Sequence, residues 1–229
     1  MALRPLGPGD PAPDFTLPAV NREGSVLLAD YRGRGPVLVA LFRGLHCPFC
    51  RRQIVHLSAT HESLAREGVD TVAVVNTPLE RARQYFQYRP TRIVLAADPD
   101  VRTHHAFGLS ETQVLPDDAD PKDVRWPETT TIARFTESTT LSRPEVPQTM
   151  NIFAAMETLN KEDAFVATEV DQRIAQAHAF QGTGHFLIDA EGIIRWSFIE
   201  ALHREAEVCQ FFSDDELISA AHALGRPLR

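Results

Sequence analysis

Three cysteines, no long apolar run and no excess of positive charge mark this 229-residue chain. Each shortage closes off a class of function. Three cysteines cannot staple a chain of this length into a disulfide framework. No stretch approaches the roughly 18 consecutive apolar residues that span a bilayer, so no membrane association is expected. Acidic residues outnumber basic ones, 31 against 23, for a formal charge of −8. That balance leaves no basic stripe for a nucleic acid. The opening Met1-Ala2-Leu3-Arg4-Pro5-Leu6 has no apolar signal core, which points to a cytoplasmic protein. Internal repeats are absent as well. What is there is a composition 43% hydrophobic and 24% charged, enough to bury a real core. The length suits one large domain, or a core domain carrying an insertion.

Read in order, residues 1–20 are proline-rich and predict an extended leader lying on the domain. Residues 24–28 suggest a short strand. The run Val37-Leu38-Val39-Ala40-Leu41-Phe42 has no polar alternation, as in a strand buried on both faces of a parallel sheet. A helix follows to about Glu67, with Ile54, Leu57, His61 and Leu64 on one face and Gly68 as its stop. Strand (71–75), helix (78–88), strand (93–96) and a short helix after Asp98-Pro99 continue the alternation. Such a pattern predicts an α/β domain built on βαβ units. From about 109 to 179 it breaks. An acidic, proline-punctuated loop (115–123) precedes a threonine-rich stretch (128–140) that suits a hairpin or little structure, then two helical patterns at 150–159 and 166–177. This stretch reads as an insertion before a β-hairpin that spans 185–198 around Ala190-Glu191-Gly192. Ser213-Asp214-Asp215-Glu216 reads as a capping box opening a final helix, which Gly225 and Pro227 end.

The chemistry concentrates at Arg43-Gly44-Leu45-His46-Cys47-Pro48-Phe49-Cys50, where the buried strand hands over to the long helix. A thiol attacks only as thiolate, and a helix N-terminus stabilises an anion through unpaired N–H groups and its dipole. Cys47 falls at the N-cap and Pro48 at the first helical position, where a missing N–H costs nothing. Arg43, His46, Arg51 and Arg52 add positive potential. Cys47 is therefore the candidate nucleophile. Cys50, one turn along, is placed to attack a mixed disulfide or a sulfenic acid on Cys47. A Cys-x-x-Cys pair can also be half of a zinc site, but no second pair with ligand spacing exists, so no metal is expected. Two inert buried cysteines are the remaining alternative, and the strand-to-helix context argues against it. His61 reads as a core histidine, and the 117–120 carboxylates as a solvated loop.

Three motifs in order carry a resemblance. Gly9-Asp10-Pro11-Ala12-Pro13-Asp14-Phe15 is a leader, Phe42-Arg43-Gly44-Leu45-His46-Cys47-Pro48-Phe49-Cys50 the dithiol stretch, and Phe186-Leu187-Ile188-Asp189-Ala190-Glu191-Gly192-Ile193-Ile194 a hairpin. Together they make the chain similar to the AhpC/TSA branch of the thioredoxin-like superfamily, the peroxiredoxins and peroxiredoxin-like proteins, over about 7–109 and 180–225. The resemblance implies a thioredoxin-like fold, a central mixed sheet flanked by helices, in a single domain over 1–229 with the insertion at about 109–179. It implies a thiol-dependent oxidoreductase in which a hydroperoxide oxidises Cys47 to a sulfenic acid that Cys50 resolves. A thioredoxin-like reductant would be the partner, with no cofactor, and a homodimer is a further expectation. Protein-disulfide exchange by the same two cysteines and a non-enzymatic redox-sensing module are the alternatives. The residues implied are Cys47, Cys50, Arg43 and His46 for catalysis, and Gly44, Pro48, Thr183 and Gly184 for substrate binding. Gly44 stands where peroxiredoxins carry the Thr or Ser of their motif, and Ala40 at the motif's proline. Thr183 takes the place of their second arginine, and Gly184 that of the thioredoxin cis-proline. Cys209, in Glu207-Val208-Cys209, resembles the resolving segment of two-cysteine peroxiredoxins without the proline that follows it there, and reads as a buried bystander thiol.

Overall fold

The computed structural model describes residues 4–224. Two short antiparallel strands come first, β1 (Thr16–Pro18) and β2 (Ser25–Leu27), so the leader contributes a strand of its own. Then follow β3 (Val37–Phe42), α1 (Pro48–Arg66), β4 (Asp70–Val75), α2 (Leu79–Gln87), β5 (Val94–Ala97) and α3 (Arg102–Ala106). Between α3 and the hairpin lie β6 (Gln113–Leu115), β7 (Thr129–Thr131), α4 (Ile132–Ser138), β8 (Thr140–Leu141), β9 (Met150–Asn151), α5 (Ile152–Glu162) and α6 (Glu169–His178). The hairpin is β10 (Gly184–Ile188) and β11 (Ile194–Ile199), and α7 (Asp214–Leu224) ends the described chain. Gly225 and Pro227, read as the stop of that last helix, lie outside the described residues.

The central sheet has the order β11-β10-β3-β4-β5. Strands β3, β4 and β5 run parallel, whereas β10 lies antiparallel to both β3 and β11, giving the expected mixed sheet. All six residues of β3 are buried because the sheet is covered on both faces. Val37, Val39 and Leu41 point toward β2, Phe107 and Phe186; Leu38, Ala40 and Phe42 point toward α1. On α1, Ile54, Leu57 and Leu64 are fully buried, while His61 on the same stripe is only partly covered. Gly108 has φ +76°, and a Cβ there would sit 2.1 Å from the Arg4 carbonyl oxygen. Only glycine lets the leader cross so closely over the end of α3.

Two local expectations are corrected. The threonine-rich stretch is not a hairpin: Thr131 accepts a hydrogen bond from the Arg134 N–H and caps α4, which the preceding strand β7 leads into. A reciprocal capping box belongs to α6, where Thr168 and Asp171 each bond the other's backbone. At α7 only the Ser213 hydroxyl contact to the Glu216 N–H is made. The 110–179 segment supplies Phe135, Leu141, Ile152, Ala155 and Leu159 to the core shared with Phe42, Leu57 and α7. Arg51 ties that segment to α1. It is buried and donates to the Leu45 carbonyl (2.6 Å), Asn160 Oδ1 (2.8 Å) and Asp163 Oδ2 (2.9 Å), with its guanidinium 4.0 Å from the Phe165 ring centroid.

Candidate active site

Strand β3 delivers the chain to Arg43, and the loop 43–47 turns it into α1. Leu45 N–H bonds the Thr77 hydroxyl at 3.1 Å, and Arg51 holds the Leu45 carbonyl, so both sides of this peptide are fixed. Cys47 takes the N-cap with an extended backbone, φ −87° and ψ 107°, and Pro48 follows as the first helical residue. The cap group is the Cys47 sulfur itself, which accepts the Cys50 N–H at 3.3 Å. Cys47, Cys50 and Cys209 are all buried free thiols.

Electrostatics separate the three thiols. Burial opposes ionisation of Cys47. The Cys50 thiol, the Arg43 charge and the Cys50 N–H together outweigh it and draw the Cys47 thiol from its ordinary 9.0 to about 7. Burial and the adjacent Cys47 sulfur push Cys50 well above the ordinary thiol range. Burial and the Glu200 carboxylate do the same to Cys209. One anion is thus stabilised among three thiols.

Arg43 is oriented by groups far along the chain. Its Nε donates to the Gln181 carbonyl at 2.9 Å, and its Nη2 to Glu200 Oε2 at 2.6 Å. The Glu200 side chain is 1% exposed. Its two oxygens also accept the Thr183 hydroxyl at 2.7 Å and the backbone N–H of Cys209. Every acceptor site of this buried carboxylate faces a donor, as a buried charge requires. His46 stands on the other side. Both its ring nitrogens lack protein partners, and burial, then Arg43, lowers it to about 4, so the ring is neutral at pH 7.

A cavity of about 90 Å³ opens beside Cys47. Arg43, His46 and Cys209 share its wall with Cys47; aromatic side chains, Trp126, Phe135, Phe153 and Phe180 among them, form the rest. Most of that apolar wall comes from the 110–179 segment. Of the residues singled out in the sequence, the structure brings Arg43, His46 and Cys47 together on this cavity. Cys50 lies behind Cys47, and Pro48 is buried at the start of α1. Thr183 is buried on Glu200, and Gly184 is packed between Phe186 and Ile199, where a Cβ would meet both at 3.0–3.1 Å. A Cβ on Gly44 would lie 2.4 Å from the Asn76 carbonyl oxygen, so no side chain fits where peroxiredoxins place a hydroxyl. Glu200, Gln181 and the aromatic wall carried no local signal in the sequence. They gather only once β10, β11 and the 110–179 segment fold over α1. Among the described residues no cluster of histidine, cysteine or carboxylate groups is arranged to hold a metal, and no helix is long and apolar enough to cross a membrane.

A mixed sheet with a dithiol at the start of the helix after its central strand defines a thioredoxin-like α/β protein. The family model described as "AhpC/TSA family" matches residues 8–136, more than half of the chain, and the chain belongs to that family. A curated relative from Mycobacterium tuberculosis, "Putative peroxiredoxin MT2597", is 31% identical over 103 residues, 45% of this chain and 64% of that protein. The chain thus spans just under two thirds of the relative's length. Solved structures agree on the fold. Reduced 2-Cys peroxiredoxin of Plasmodium vivax superposes with a TM-score of 0.55 at 14% identity, over 94% of both chains. Peroxidoxin BcpB of Mycobacterium tuberculosis superposes with a TM-score of 0.54 at 12% identity, over 96% of this chain and 98% of that one. At such identities the likeness concerns the fold alone.

Proposed function

We propose that the protein is a thiol peroxidase that reduces organic or inorganic hydroperoxides through Cys47. The carrying observation is one thiol of three drawn down to about 7, on the wall of a cavity, in a chain of the AhpC/TSA family. The Cys47 thiolate attacks one oxygen of the peroxide. An S–O bond forms, the O–O bond breaks, and the departing alkoxide or hydroxide takes a proton and leaves as alcohol or water. Cys47 is then a sulfenic acid. Attack by Cys50 expels water and leaves the Cys47–Cys50 disulfide, which an external dithiol of thioredoxin type returns to two thiols. Arg43 supplies the charge that favours the thiolate and meets the developing negative oxygen. Neutral His46, with both ring nitrogens free, accepts or donates a hydrogen bond to the bound peroxide. Pro48 and Gly44 shape the loop, and Thr183 and Gly184 hold the strand end that supports Glu200 and through it Arg43.

Thiol–disulfide exchange on a protein substrate is the second reading. One observation favours it: the glycine that leaves no room for a peroxide-binding hydroxyl at position 44. The two separate in one preparation. Consumption of hydrogen peroxide and cumene hydroperoxide, coupled to thioredoxin and its reductase, is expected of the wild type and lost in Cys47→Ser. Insulin reduction without peroxide consumption would overturn the peroxidase reading. We further read the whole chain as one thioredoxin-like domain with the 109–179 segment as an insertion, supported by the core that segment shares with α1. The cytoplasm suits a site that must return to dithiol after each turnover. Light scattering on the same preparation tests the homodimer.

A further inference from the structure

The cavity beside Cys47 offers few polar partners, and most of them come from one short loop. Arg43, His46 and Cys47 belong to residues 43–47; the Cys209 thiol lies on the same wall. The indole N–H of Trp126 is engaged by the Ala201 carbonyl at 2.6 Å, and Arg43 Nε and Nη2 by Gln181 and Glu200. Hydrogen peroxide carries an O–H at each end and needs partners at both. An alkyl hydroperoxide needs them at one end, and its tail gains from apolar burial. The apolar wall is held in place by its own packing. Phe135 is 6% exposed and stands at its centre, with the ring centroids of Phe180 at 5.0 Å, Phe153 at 6.1 Å and Trp126 at 6.2 Å. Rings locked against one another in this way present a preformed surface. All four lie outside the leader, dithiol and hairpin motifs, and Phe153 and Phe180 lie beyond the residues that the family model matches. Phe153, on α5, is 41% exposed and so stands where the cavity meets solvent. Volume sets the size of the occupant. About 90 Å³ is less than the roughly 150 Å³ of an apolar cavity that takes benzene, so it suits a compact branched tail of about four carbons.

We propose that this cavity is a specificity pocket for a compact apolar tail, so that the site takes tertiary-alkyl hydroperoxides in preference to hydrogen peroxide. The ring cluster on Phe135, with Phe153 at the mouth, is the determinant. The preference among peroxides rests on the peroxidase reading of Cys47. In that step the Cys47 thiolate attacks the terminal oxygen, an S–O bond forms and the O–O bond breaks. The tertiary alkoxide takes up the proton that the thiol lost on ionising and leaves as the alcohol. Cys47, oxidised by two electrons, is the sulfenic acid. A longer tail must pass out beside Phe153, so the preference levels off beyond about four carbons.

The test follows single-turnover oxidation of the reduced full-length protein, which needs no electron donor, by tert-butyl hydroperoxide and by hydrogen peroxide. Each rate is divided by that of the same oxidant with N-acetylcysteine, which removes the oxidant's intrinsic reactivity. The normalised rates are expected to favour tert-butyl hydroperoxide by about tenfold or more, and that ratio to fall several-fold in Phe153→Ser. Phe153 is half-exposed, so the variant keeps the core, and circular dichroism checks that it does. A second arm contains no peroxide. Tert-butanol should slow iodoacetamide alkylation of Cys47 more than the same concentration of ethylene glycol, and less so in Phe153→Ser. Equal normalised rates for the two oxidants, or a ratio unchanged in Phe153→Ser, would overturn the proposal and leave the peroxidase reading standing. If neither oxidant reacts with Cys47 faster than with N-acetylcysteine, yet tert-butanol protects it, the peroxidase reading fails and the apolar pocket stands. If tert-butanol protects no better than ethylene glycol as well, both fall.

Discussion

Replacing Arg43 by glutamine should move the ionisation of Cys47 by an amount that follows from its surroundings. The wild-type thiol, at about 7 against an ordinary 9.0, favours thiolate by about 3 kcal/mol relative to a free thiol. Burial works against that figure, so the hydrogen bonds and the Arg43 charge together supply more than it. A neighbouring opposite charge lowers such a group by about 1–3 pH units. Arg43 is partly neutralised by Glu200, so the low end applies, and Arg43→Gln should raise Cys47 to about 8 or above. At pH 7 the thiolate fraction then falls from about a half to about a tenth. Iodoacetamide alkylation of Cys47, followed by mass spectrometry against pH, reads this directly. The expected rate at pH 7 is about fivefold lower, and the two proteins converge at alkaline pH where both are ionised. The variant also strands Glu200 as a buried carboxylate without its main cation, which pushes Cys47 up as well. Glu200→Gln separates the two influences: it removes the negative charge and should carry Cys47 below 7. The double variant should fall between the singles. Alkylation midpoints that stay at about 7 in Arg43→Gln, or that shift in the same direction in both singles, would refute the electrostatic account.

Gly44→Thr should not restore a peroxide-binding hydroxyl but should destabilise the fold by about 1–3 kcal/mol, because its Cβ meets the Asn76 carbonyl at 2.4 Å; urea denaturation measures the loss. Arg51→Met should cost about 1.5–3 kcal/mol by leaving the Leu45 carbonyl and Asn160 Oδ1 without their donor, seen in the same assay together with increased proteolysis of the 152–165 region. His104 and His185 are buried, and burial lowers them from 6.5 to about 4 and about 3. The unfolded chain therefore binds their protons first as pH falls, so this stability is intact above about pH 6.5 and is lost on acidification toward about 4. Each should withdraw about 2 kcal/mol between pH 7 and 5, and His185→Phe should abolish its share of the slope.

The fold was legible where sequence and structure share a short range. Six apolar residues without alternation announced β3, and a proline directly after Cys47 announced the start of α1. The pair Cys47 and Cys50 sits on one helical turn, so its geometry follows from spacing alone. Glu200 is the opposite case. It follows β11 as one acidic residue among many, and its role appears only when the pairing of β10 with β3 and β11 brings it under Arg43. The backbone at Cys209 carries no local signal either, since the two side chains that hold it lie 9 and 66 residues away. The threonine-rich stretch misled because β-branched residues favour strands, whereas there a single hydroxyl serves as a helix cap and packing of Phe135 sustains the helix. At Gly44 the sequence showed a missing hydroxyl, and the structure supplies the cause in the close approach of the Asn76 backbone.

The sulfur that caps α1 is also the atom that the proposed cycle oxidises. In the dithiol form its electron pairs accept the Cys50 amide, a cap interaction worth about 1 kcal/mol. Conversion to sulfenic acid or disulfide should draw electron density from that acceptor and weaken the cap bond to the Cys50 amide. Oxidation should therefore reach the first helical turn as a loss of backbone order. The Cys50 amide becomes an internal gauge of the redox state: its hydrogen exchange should be slow in the reduced protein and accelerate as Cys47 is oxidised, before any change reaches the sheet.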